Sequence, residues 1–111
     1  MTLREKQSRL VVMVAMLIDH AGKLGFELTF GDAFRDPRLH GKPGSKMGYG
    51  AANSCHKYRL AVDFNLFQDG RLLLRTDDHL PLGEYWESIG GTWGGRFGDG
   101  NHYSLEHEGH K

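Results

Sequence analysis

Apolar residues recur at helical spacing near the start of the chain, at Leu3, Leu10, Val14, Leu17, Ala21 and Leu24. The pattern predicts a largely buried first helix from about Leu3 to Lys23, which Gly22 or Gly25 can end. The run LVVMVAMLI, residues 10–18, follows Arg4, Lys6 and Arg9, so it has the charged start and apolar core of a signal peptide. It then meets Asp19 and His20, and no small-x-small cleavage site follows. The run is also too short to span a bilayer, and a core helix is the better reading.

Further along, FELTF (residues 26–30) alternates apolar and polar and reads as a strand. LAVDFNLF and RLLL are two more strands. The QDGR between them carries an Asp-Gly turn signal, so they should form a hairpin. PLGEYWESIG, residues 81–90, fits a short helix with Pro81 near its start and Gly90 past its end. GGTWGGRFGDG reads as a glycine-rich loop and HYSLEH as a last short strand. The long irregular stretch GDAFRDPRLHGKPGSKMGYGAANS separates the first strand from the rest. A loop of that length in a small domain is usually functional or disordered. The expected architecture is one small α+β domain over residues 1–111, with helices against a mostly antiparallel sheet.

Composition narrows the class. A chain of 111 residues suits one domain, and 39% hydrophobic with 25% charged residues fits a globular protein. Fourteen basic and fourteen acidic residues cancel, which argues against a nucleic-acid binder. The single cysteine, Cys55, excludes an internal disulfide and a Cys-rich zinc site.

Chemistry enters with SCHKYRLAVDF, residues 54–64. On the strand, Leu60, Val62, Phe64 and Leu66 share one face, and Ala61, Asp63, Asn65 and Phe67 share the other. The first face should pack on the helices, and the second should look into a cleft. A carboxylate in such a strand is costly to desolvate unless something positive holds it. No lysine or arginine alternates with Asp63, so a metal ion with His56 as a neighbouring ligand is an answer. The second cluster, GDGNHYSLEHE, puts Asp99 and His102 three apart at the entry to the last strand, with Ser104 on the face of His102. Two histidines, one aspartate and an open position make the arrangement of a catalytic zinc. A carboxylate cage of the calcium type is not visible. The bland alternative makes Asp63 a turn cap and His102 a surface residue.

Other candidates are weaker. The remaining histidines, His20, His40, His79, His107 and His110, lack such companions. Cys55 next to His56 makes a poor dyad, because adjacent residues in an extended segment point to opposite sides. Trp86 and Trp93 are better read as core anchors than as sugar-stacking platforms. The terminal HEGHK reads as a solvated end rather than a metal-binding tail.

The joint pattern S-x-H-x(6)-D followed by D-x-x-H resembles the group of zinc peptidases that includes D-alanyl-D-alanine carboxypeptidases and L-alanyl-D-glutamate endopeptidases. The stretches FGDAFRDP, SCHKYRLAVDFNLFQDGR and WGGRFGDGNHYSLEH look like those of phage endolysins in that group. The resemblance covers about residues 26 to 107. It implies a fold shared with the hedgehog signalling domain, with His56, Asp63 and His102 as zinc ligands and Asp99 as general base. It also implies that Arg35 contacts the substrate or its developing oxyanion; the competing role for Arg35 is a salt bridge with Asp32 or Asp36. The chain departs from the family pattern at two places. Arg59 stands where the family often has glycine, and HYS replaces a frequent HFE.

The resemblance implies a peptidoglycan peptidase of the endolysin type. It would cut the L-Ala–D-Glu bond of the peptide stem as a monomer, without nucleic acid or stable membrane insertion. Release from a host cytoplasm to the wall through a holin-type pore is the matching expectation. A D-alanyl-D-alanine carboxypeptidase is one alternative. A non-catalytic zinc-binding module of the same fold is another, although such a module has no need of Asp99.

Overall fold

The structure, a computed structural model, describes residues 1–31 and 58–109. The first helix, α1, spans Leu3–Lys23 as the apolar spacing predicts. A capping box starts it: the Glu5 N–H donates to Thr2 Oγ1 at 3.1 Å, and the Thr2 N–H donates to Glu5 Oε1 at 2.9 Å. Its buried stripe is Leu10, Met13, Leu17 and Ala21. Leu24, expected in that stripe, is exposed, and Met13 occupies the core instead. One face of the apolar run that follows Arg9 is therefore a wall of the core, but Val11, Val12, Met16 and Ile18 are exposed, so the helix is buried along a stripe and not largely buried as expected. Among the described residues no helix is long and apolar enough to cross a membrane.

Five strands form one antiparallel sheet: β1 Glu27–Phe30, β2 Ala61–Gln68, β3 Arg71–Leu73, β4 Thr92–Trp93 and β5 His102–Ser104. The hairpin between β2 and β3 forms as expected, with Asp69 and Gly70 both at positive φ in its turn. The long β2 is the spine. It pairs with β1, with β3 through its C-terminal half, and with β5 through Ala61–Asp63. The second helix, α2, spans Leu80–Ser88 with Pro81 in its first turn.

Val62, Phe64 and Leu66 point into the main core, together with Trp86, Trp93 and Tyr103. Leu60, expected with them, packs instead with Ala61, Leu3 and Tyr58 in a small separate cluster. Both tryptophans are core anchors. Trp86 donates its indole N–H to the Ser104 carbonyl at 2.9 Å, and Trp93 donates to the Gly100 carbonyl at 2.7 Å. The glycine-rich stretch is more ordered than its composition suggests. It contains β4 and a 3-10 turn, Gly94–Phe97. A second 3-10 turn, Thr76–His79, leads into α2. Elements this short carry no periodicity for a sequence reading to find.

Arg59, the departure from the family glycine, has φ +59°. An L-residue there costs about 1–2 kcal/mol, whereas glycine adopts the conformation freely. Arg59→Gly should therefore be more stable than Arg59→Ala by about 1 kcal/mol, because both remove the side chain and only glycine relieves the backbone. Urea-unfolding midpoints of the two variants measure that difference. Equal midpoints would mean that the left-handed turn before β2 carries no strain.

Candidate active site

The register of β2 on β5 builds the site. Asp63 lies directly opposite His102, and Val62 opposite Tyr103. Partners on adjacent antiparallel strands share a face, so Val62 and Tyr103 enter the core while Asp63 and His102 meet on the other side. A slip of one residue would break both pairs and turn either His102 or Asp63 toward the core. Backbone bonds beyond the ladder hold the register. Gly31 N–H donates to the Asp63 carbonyl at 2.7 Å, and Phe64 N–H donates to the Asn101 carbonyl at 3.0 Å. His102 Nδ1 stands 3.5 Å from Asp63 Oδ1, and both side chains are buried.

Asp99 comes from the turn that precedes β5. Its N–H donates to the Gly94 carbonyl at 2.9 Å, and its own carbonyl accepts from the His102 N–H at 3.2 Å. Gly94 lies against this turn so closely that a Cβ there would overlap the Asp99 carbonyl and the His102 side chain. The loop is braced from outside as well. Arg96 stacks over the Trp93 ring at 5.1 Å and donates to both carboxylate oxygens of Glu87, at 2.7 and 3.0 Å. That pairing holds the Glu87 carboxyl below its usual range. The Phe97 and His102 rings meet edge to face with their centroids 5.8 Å apart, and Phe97 stays half-exposed, giving the site an apolar rim.

The potential ligand atoms of Asp63, Asp99 and His102 all lie within 4.8 Å of one another. Two of the three residues are buried and Asp99 is exposed. An imidazole nitrogen with carboxylate oxygens is a donor set that zinc accepts, so the residues present fit a metal. Three of the predicted site residues are thus brought together. His56 and Arg35, with Asp32 and Asp36 beside it, fall within residues 32–57, outside the described residues.

A cleft of about 240 Å³ opens beside Asp99. Its polar lining includes Asn65, Arg75, Thr76 and His79. His79 is buried, and its Nδ1 lies 2.8 Å from the Tyr103 hydroxyl. Burial pushes the His79 pKa down and that of Tyr103 up, so both stay neutral at pH 7. Sequence reasoning passed over His79 as a histidine without a companion. Its companion stands 24 residues away on β5, and no local signal joins them.

This fold and donor cluster define a metallopeptidase-like site, and the comparison with known families agrees. The sequence profile of the D-alanyl-D-alanine carboxypeptidases matches residues 48–105, just over half the chain. The protein belongs to this family of zinc peptidases. No curated protein sequence matches the chain.

Proposed function

We propose that the protein is a zinc-dependent peptidoglycan peptidase of the endolysin type that cuts the L-Ala–D-Glu bond of the peptide stem during host lysis. The observation that carries the reading is the convergence of Asp63, Asp99 and His102 within 4.8 Å in a chain of this family. Asp63 and His102 hold the metal, with His56 as the third ligand. Zinc, when bound, supplies Lewis acidity toward the scissile carbonyl and makes water nucleophilic at neutral pH. Asp99, exposed at the mouth of the cluster, takes the proton of the attacking water and delivers it to the leaving amine. Arg35 receives a substrate carboxylate or the developing oxyanion.

The expected digest of purified muropeptides is a new N-terminal D-glutamyl peptide with the glycan intact, read by mass spectrometry. Release of terminal D-alanine alone would replace this reading with the carboxypeptidase one. New reducing sugar ends would contradict both.

A further inference from the structure

The cleft beside Asp99 has a chemistry that the peptidase reading leaves unused. One wall is the turn Gly98–Asn101 and the other is the segment Leu72–Thr76 that leaves β3. The two walls touch: Gly100 packs onto the backbone of Thr76 with no room for a side chain between them. Arg75 is therefore held one residue from a contact that is itself one residue from Asp99. Its backbone is pinned as well, because the Arg75 N–H donates to Asp78 Oδ2 at 3.0 Å. Among the described residues no ion pair engages the Arg75 guanidinium. Arg75 is exposed and is one of the residues that line the cleft.

His79 adds a directed donor. The Tyr103 hydroxyl is buried, and an unplaced phenolic proton would cost more than an unfilled lone pair. Taking His79 Nδ1, 2.8 Å from that hydroxyl, as the acceptor of its proton puts the ring's own proton on Nε2. His79 is one of the residues that line the cleft, and Nε2–H is its remaining ring donor.

A cation and a neutral N–H donor in one small polar cleft suit a carboxylate. The peptide stem supplies one on the leaving side. A γ-linked D-glutamate keeps its α-carboxylate on the same carbon that bears the scissile nitrogen. We propose that the cleft is a carboxylate subsite for the leaving residue, with Arg75 as its charge and His79 Nε2–H as its fixed donor. This assignment rests on the peptidase reading above and makes Arg75 a specificity-determining residue.

The test is a binding titration of the zinc-loaded protein, followed by NMR. The probes are γ-D-glutamyl-L-lysine and its α-amide, D-isoglutaminyl-L-lysine. The acid should bind at least about tenfold more tightly than the amide, as a charge-assisted contact requires. The His79 Nε2–H resonance should move with the acid only. In Arg75→Met the preference should fall to within about twofold through weaker binding of the acid, while Arg75→Lys, a point charge without the fork, retains part of it. Arg75 is exposed, so these variants leave the core untouched. Equal affinities in the parent, or an unchanged ratio in Arg75→Met, overturns the subsite. Muropeptide hydrolysis separates the two ideas. Cleavage without an acid preference removes the subsite and leaves the peptidase, whereas acid-selective binding without cleavage does the reverse.

Discussion

Asp63→Asn and His102→Gln should each lower zinc affinity by more than about 100-fold and abolish hydrolysis. Replacing a group that only supports a metal ligand costs about 10- to 100-fold, and loss of a ligand costs more. The argument is geometric. The β2–β5 register places these side chains opposite each other, and the same register carries Val62 and Tyr103 into the core. The site therefore cannot shift without the sheet shifting, and among the described residues Asp99 is the one other carboxylate or imidazole grouped with the pair. Melting temperature gives a second readout. The zinc-loaded parent should melt above its metal-free form through binding linkage, and Asp63→Asn should lose most of that zinc-dependent gain. Zinc analysis and melting curves with and without chelator check this. An Asp63→Asn protein that keeps the full zinc-dependent gain in melting temperature would assign Asp63 to the fold rather than to a metal.

Much of this geometry was legible in the chain before its structure. The bounds of α1 follow from an apolar stripe long enough to show its period. The hairpin follows from Asp69–Gly70, because so few residue pairs suit that turn. The chemical clusters around Asp63 and His102 were also legible, since charged and ligand-type residues in an otherwise apolar strand stand out locally. Their juxtaposition was not. It depends on which distant segment pairs with Ala61–Asp63, and alternation within a strand does not name its partner. The same limit hid His79, whose partner is Tyr103 across the core. It also hid the order within Thr92–Phe97, where two-residue pairing and a single tight turn are stabilised by Trp93 and Arg96 rather than by local propensity. Arg59 was visible as a departure from the family pattern. Its consequence, a left-handed backbone, needed the structure.

Asp99→Asn should keep the metal and lose most of the turnover. If Asp99 is the general base, its removal costs on the order of 100- to 10,000-fold in rate. The substitution is unusually clean here, because the bonds that shape the loop run through the Asp99 backbone. Its N–H goes to Gly94 and its carbonyl accepts from His102, and neither changes when the carboxylate becomes an amide. Asparagine is also well suited to a glycine-flanked turn. The loop, the bracing by Trp93 and the cluster around His102 should therefore persist, and melting temperature should stay near that of the parent. What is lost is the capacity to accept a proton at neutral pH. The 4.8 Å spacing also permits a second role, with Asp99 as a direct ligand, and zinc content distinguishes the two. A base leaves stoichiometric zinc behind when it is replaced, whereas a ligand does not. Wall-lysis rate and zinc content measured on the same Asp99→Asn preparation decide the matter. A zinc-loaded variant that lyses walls within a few-fold of the parent would reduce Asp99 to a turn residue. A zinc-depleted one would move it from the proton path into the metal shell.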